Sequence, residues 1–271
     1  MPADPGGRWQ RRGRLLWTGL VVGRAEQEAL AVELRPGVLR PDWSAVHLVA
    51  AREVLKRHLE ARPQGLRRWA DLTALEDETW RAILRLFLAH GRAPIVDEVT
   101  RATGCSLEAT QGAIQSLGAR DLVVLDQAGG AVLAAYPFTG YPTGHRVMIG
   151  GHTVASLCAI DALGAGTMCG GDSVIISACA HCSQPIQIET CGGGAQLGTV
   201  TPAAAVVWYT IRFDGCAARS SCPSTLFLCG DNHLQQWRAT RPSSEGGDRL
   251  TIPEAFEIGG ALFGPLLRSA A

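Results

Sequence analysis

The hydrophobic period changes part-way along this chain of 271 residues, and the change limits the folds open to it. Up to about residue 117 apolar residues recur at helical spacing. Beyond residue 170 they come in short β-branched and aromatic runs separated by Gly-rich turns. Helices first and short strands afterwards is an α+β order.

Three regions follow from this pattern. Residues 1–71 form a basic N-terminal extension with one helix expected over 42–61, capped by Asp42 and broken by Arg62-Pro63-Gln64-Gly65. Residues 72–140 read as a winged-helix-like three-helix domain. Helix 76–90 turns Trp80, Ile83, Leu84, Phe87 and Leu88 to one face, a second helix spans 95–102, and Ser106 caps the third. Two apolar runs then flank Asp126-Gln127-Ala128-Gly129-Gly130 as a strand–turn–strand wing. Residues 141–271 are cysteine-rich and read as a mixed, largely antiparallel β domain with short helices. Helix is expected over 154–163, and strands over 174–177, 185–189, 206–213 and 225–228. Residues 234–238 and 252–267 return to helix or irregular structure.

Charge tests one function at once, since a winged helix beside clustered thiols would suit a metal-responsive regulator. Net charge is zero, so no whole-chain field attracts nucleic acid or an anionic membrane. From Pro94 to Asp126, which covers the reading helix and the wing, Arg101 and Arg120 face five acids: Asp97, Glu98, Glu108, Asp121 and Asp126. That surface repels phosphate, and Gln111 and Gln115 are the only amide side chains on the reading helix. Only the basic first 70 residues, thirteen Arg/Lys against seven Asp/Glu, offer non-specific contacts. The winged helix therefore reads as scaffold, with the regulator kept as the alternative. No apolar run approaches bilayer length. The stretch at 15–22 follows Arg11-Arg12 but lacks a small-residue cleavage site, so it reads as a short basic, apolar segment and not a secretory signal.

Eight of the nine cysteines follow residue 150. An odd count without an export signal points to thiols in a reducing cytoplasm, used for metal or catalytic chemistry. Cys158 and Asp161 lie three apart; on a helix they would share a face, roughly 5–6 Å apart at Cβ. A thiol beside a carboxyl can bind a soft metal and exchange a proton in one place. Alone, C-x-x-D more often marks a buried, inert thiol. Cys222 precedes Pro223 at the mouth of an apolar strand. Cys179-Ala180-His181-Cys182 is a C-x-x-C without a second pair; Cys169 and Cys191 flank it singly, and whether these four hold a structural metal stays open.

Taken together, these segments resemble the organomercurial (alkylmercury) lyase family. Cys158-Ala159-Ile160-Asp161-Ala162-Leu163 looks like its first catalytic motif. Its second catalytic cysteine comes about sixty residues later, before an aromatic pair with a Trp ten residues past the first aromatic. Here Cys222 precedes Phe227, and Trp237 lies ten beyond it. Ile252-Pro253-Glu254-Ala255-Phe256-Glu257-Ile258-Gly259 is similar to the family's C-terminal region. The resemblance runs from about residue 72 to 268. Departures are Pro223 and Thr225 after the second cysteine, the reduced pair Phe227-Leu228, the first 70 residues, and Cys169, Cys182, Cys191 and Cys229, which have no family role. Cys179 looks like a cysteine that members keep for structural reasons.

The resemblance implies a cytoplasmic enzyme whose catalytic and mercury-binding residues are Cys158, Asp161 and Cys222. Two thiolates would take the soft metal, and Asp161, protonated in an apolar pocket, would give its proton to the carbon. Substrate is a small organomercurial and products are a hydrocarbon and Hg(II). No organic cofactor is implied. Low-molecular-weight thiols or a mercuric reductase would accept the metal. A non-catalytic soft-metal binder of the same family is the further alternative.

Overall fold

The computed structural model describes residues 30–241 and 246–267. The apolar stretch at 15–22 lies outside the described residues.

Residues 30–70 carry more than one helix. A hairpin of β1 (Val32–Arg35) and β2 (Val38–Arg40) leads through a 3-10 turn at Trp43–Ala45 into α1 (Val49–Ala61) and the short α2 (Pro63–Arg67). The helix expected from Asp42 thus starts later. Asp42 caps only the 3-10 turn, its carboxylate accepting the Ser44 N–H. The chain then stays extended at Val46 and Leu48, where the Glu257 carboxylate takes the His47 and Leu48 N–H groups at 2.9 and 2.8 Å.

Glu257 belongs to the last helix, α9 (Ile252–Phe263), and the same segment holds that helix's far end. Arg40, fully buried, donates to Gly264 O at 2.7 Å and Phe263 O at 3.1 Å. A cation there satisfies carbonyls that a helix C-terminus leaves unpaired. Burial pulls the Arg40 pKa down to about 10, still charged at neutral pH.

The three-helix unit forms as expected. In α3 (Ala74–His90), Thr73 and Glu76 make a reciprocal capping box and Gly91 closes the helix at φ 64°. Next come α4 (Val96–Thr103) and α5 (Leu107–Ala119), the latter capped by Ser106, whose hydroxyl accepts the Ala109 N–H at 3.2 Å. The wing strands are β3 (Val123–Leu125) and β4 (Val132–Ala135). They continue into an eight-stranded antiparallel sheet with β5 (Phe138–Thr139), β6 (His145–Ile149), β7 (His152–Ser156), β8 (Ser173–Ala178), β9 (Pro185–Cys191) and β10 (Gln196–Thr201). The order is β10-β9-β8-β6-β7-β5-β4-β3, so the sheet runs unbroken past residue 140.

The helix expected over 154–163 is corrected here. Residues up to Ser156 pair as β7 with β6, from His145↔Ser156 to Ile149↔His152, and helix α6 (Ala159–Cys169) begins only afterwards. Val154 and Ser156 alternate inward, a strand period that the apolar run behind them obscured. A second sheet, ordered β12-β11-β13, is built from β11 (Val206–Thr210), β12 (Leu226–Leu228) and β13 (Gly247–Thr251). The short α7 (Ala217–Ser220) and α8 (Asp231–Ala239) flank β12 in sequence.

Helix α6 is buried along most of its length and packs on α9. Their backbones meet at Gly164 and Gly259: a Cβ on Gly164 would lie 2.5 Å from Gly259 O, so only glycine permits this approach. That contact sets the seat of the α6 N-terminus, where the candidate chemistry lies.

Candidate active site

Cys158 is the N-cap of α6, extended at φ −153° and ψ −179°, and Asp161 is the third residue of the helix. The pair therefore meets by cap geometry, not along one face of a continuous helix. The Cys158 Sγ accepts the Asp161 N–H at 3.5 Å, the role a serine hydroxyl fills in an ordinary cap.

Cys222 arrives from the other sheet. It opens a 3-10 turn, Cys222–Ser224, with Pro223 at a first-turn position that needs no N–H. Thr225 O accepts the Ala159 N–H at 3.2 Å, tying this turn to the start of α6. The Cys222 thiol then donates to Asp161 Oδ2 at 3.5 Å, across 61 residues of chain. Cys158, Asp161 and Cys222 are all buried, with one ligand atom of each within 4.8 Å of the others. The two aromatics that framed Cys222 are core anchors: Phe227 is fully buried opposite Val207, with its ring 5.6 Å from His145, and Trp237 packs 6.4 Å from Trp208.

Burial sets the electrostatics. Loss of water pushes the Asp161 carboxyl up to about 7, although hydrogen bonds from Cys158 and Cys222 pull the other way. Burial likewise raises Cys158, and the Cys158 contact together with burial raises Cys222 well above an ordinary thiol. A carboxyl near neutrality between two reluctant thiols can both receive and return a proton.

Residues around the trio carried no sequence signal. The Tyr136 hydroxyl donates to Asp121 Oδ1 at 2.9 Å and accepts the Ala218 N–H at 2.7 Å, bracing the segment that leads to Cys222. Arg68 pairs with Asp121 at 3.8 Å and lies over Trp69 at 4.5 Å. A cavity of about 360 Å³ is walled by His58, Arg62, Arg68, Trp69, Asp121 and Tyr209. The trio does not line it, but the Arg68 cation on its wall draws the Asp161 carboxyl down, and burial, with the Cys158 and Asp161 charges behind it, raises Tyr209. His58 there stacks on Tyr209 at 3.8 Å, and burial lowers its pKa to about 4. Its 2.8 Å contact to Asp248 is thus a hydrogen bond from neutral imidazole at neutral pH.

The open cysteines separate. Cys179 and Cys182 gather with Cys229 and His233, all four donor atoms lying within 4.8 Å of one another. Cys169 ends α6, where burial raises it to about 12, and Cys191 is exposed beside Gln196. Neither joins that group. The missing pair was visible as Cys229-Gly230-Asp231-Asn232-His233, a C-x-x-x-H some 50 residues on.

Three arginines among the described residues of the first quarter are engaged within the fold. Arg35 pairs with Asp77 at 3.3 Å, Arg57 with Asp248 at 2.5 Å, and Arg62 donates to Thr210 O at 2.8 Å. On the reading helix, Gln115 is engaged with Gly129 O of the wing. These contacts occupy three cations and one amide that a DNA surface would use.

Residues 138–264 match the family model for alkylmercury lyase. The chain carries an alkylmercury lyase domain. This classes it as a lyase acting on carbon–mercury bonds. A solved structure described as the mercury-bound form of MerB2 is similar over 78% of this chain and 96% of that one, at TM-score 0.60 and 23% identity, a likeness of fold. No curated protein sequence matches the chain. The lyase domain holds the whole trio, whereas the cavity wall is drawn largely from residues before it. Among the described residues, no helix is long and apolar enough to cross a membrane.

Proposed function

We propose that the chain cleaves organomercurials by protonolysis, with Cys158 and Cys222 as mercury ligands and Asp161 as proton carrier. The observation that carries this reading is the buried carboxyl held between two thiols, with its pKa near 7. Bound through one sulfur, R–Hg–X loses X as that thiol's proton leaves with it as HX. The second thiol gives its proton to the Asp161 carboxylate as its sulfur adds to mercury. Two soft donors on the metal push electron density onto the carbon, and Asp161 returns the proton there. The balance is R–Hg–X plus two thiols giving RH, HX and Hg(II) held by two thiolates. Proton transfer by a placed acid contributes on the order of 10²–10⁴-fold, so thiolate donation carries the remaining acceleration.

The reaction needs no organic cofactor. Small thiols or a mercuric reductase would remove Hg(II), and a reducing cytoplasm would keep both cysteines competent. The test is release of methane or benzene from methyl- or phenylmercury with excess thiol. A reduced, folded protein that binds the organomercurial but liberates no hydrocarbon refutes the enzymatic reading and leaves a soft-metal binder.

A further inference from the structure

We propose that Cys179, Cys182, Cys229 and His233 bind one resident Zn(II), and that this ion fixes the segment that carries Cys222.

The donor set and its spacing both fit. Three thiols and one imidazole are a structural zinc set. With Zn–S near 2.3 Å and Zn–N near 2.05 Å, a tetrahedron has S···S edges of about 3.8 Å and S···N edges of about 3.6 Å. The Cys182 and Cys229 sulfurs lie 3.8 Å apart, and the His233 Nδ1 lies 3.6 Å from the Cys179 Sγ and 3.4 Å from the Cys182 Sγ. Three edges of the polyhedron are already in place.

The backbone is arranged for a thiolate as well. Cys179 and Cys182 occupy the β8–β9 turn, closed by Ser183 N–H to Cys179 O at 2.9 Å and Cys179 N–H to Gln184 O at 2.9 Å. The Cys229 N–H points at the Cys179 Sγ at 3.4 Å, a donor that favours sulfur in its ionised, ligating form. His233 lies in the first turn of α8, two residues past Asp231. A half-buried group of this kind, with Cys182, Cys229 and His233 partly open to solvent, can load its metal without unfolding.

Zinc fits better than the substrate metal. Hg(II) in the proposed reaction is held by two sulfurs, as the trio can supply, whereas four converging donors including a nitrogen match four-coordinate Zn(II). The mechanical consequence follows from the chain. The turn that Cys222 opens leads through Thr225 into β12 and directly on to Cys229, and the Ala180 N–H already meets Phe227 O at 3.0 Å. An ion across the turn and Cys229 anchors one end of the eight-residue stretch whose other end is Cys222.

The inference stands apart from lyase activity, and its test needs no turnover. The full chain, purified reduced without added metal, should contain close to one zinc by elemental analysis. Replacing it with Co(II) should give the intense visible bands and thiolate charge-transfer absorption of a tetrahedral site. Cys182→Ser and His233→Ala should weaken Zn(II) by on the order of a hundredfold or more. His233→Cys should keep the ion with a shifted Co(II) spectrum, which guards against variants that merely misfold. The double variant Cys158→Ser/Cys222→Ser should keep its zinc. The proposal is overturned if the wild type neither retains zinc nor binds Zn(II) or Co(II) tetrahedrally. It is equally overturned if the zinc follows Cys158 and Cys222, or if the four-residue site accepts Hg(II) but not Zn(II).

Discussion

Two sulfur clusters lie on either side of one short strand, and they differ in the group that accompanies the thiols. At the N-terminal end of β12, Cys222 meets Cys158 and a carboxyl, all three buried. At the other end, Cys229 meets two thiols and an imidazole at a half-buried corner, with a backbone N–H aimed at sulfur. Sulfur is common to both; the buried carboxyl is not. A desolvated carboxyl near neutrality can move a proton, so the first cluster suits chemistry. Three thiols and an imidazole, with three contacts already at tetrahedral edge lengths, match a four-coordinate metal, so the second suits holding one.

The comparison breaks most sharply at the cysteines. Cys158→Ser and Cys222→Ser should each abolish hydrocarbon release, by at least about a thousandfold in single-turnover assays, since one sulfur cannot activate the carbon. Persisting turnover in Cys222→Ser would assign the second thiol elsewhere, with Cys229 the next candidate along the strand.

Asp161→Asn should keep organomercurial binding yet lower the rate of hydrocarbon release by on the order of 10²–10⁴-fold. It should also change stability with pH in a defined direction. With its pKa raised from an ordinary 3.8 to about 7, Asp161 holds a proton in the fold that the unfolded chain releases. Its favourable share is therefore complete below about pH 4 and is lost as pH rises through about 7. Asn removes the cost of the buried charge, so the variant should gain on the order of 2–4 kcal/mol over wild type at pH 8 and nothing near pH 4, read by denaturant titration.

The pH–rate profile is the next test. In free enzyme the Asp161 carboxylate must accept a thiol proton, so kcat/KM should fall about tenfold per pH unit below roughly 7. Asp161→Asn should flatten that limb; a limb that survives belongs to another group. The smallest effect concerns support: Gly164→Ala, which forces α6 off α9, should cost about 1–3 kcal/mol and lower turnover by misplacing Asp161. An unchanged melting temperature would show that the glycine contact does not set the seat of α6.

Much of the frame could be read without coordinates. Ser106 caps its helix as its type and position require, Gly91 ends α3, and Trp80, Ile83, Leu84 and Phe87 face inward. The pairing of Cys158 with Asp161 is legible as a spacing, but the spacing does not distinguish a cap from a shared helix face. A cap and a helix face both bring residues three apart together, and the strand before Cys158 made it a cap. Residues 30–70 were the least legible. Arg40, Arg57 and Arg62 look like a basic tail in one dimension, yet their partners are Gly264, Asp248 and Thr210, about 150 or more residues away.

Local chemistry thus determined the helices of residues 74–119 and six of the strands, because period and capping act over a few residues, while the three groups proposed for catalysis were named only by the resemblance of their motifs. Tertiary structure alone decided that Cys222 donates to Asp161, that Cys229 and His233 complete the pair Cys179 and Cys182, and that Asp161 titrates near 7. These depend on contacts across some 50–60 residues and on exclusion of water, and neither desolvation nor a distant donor leaves a mark on the residues next in sequence.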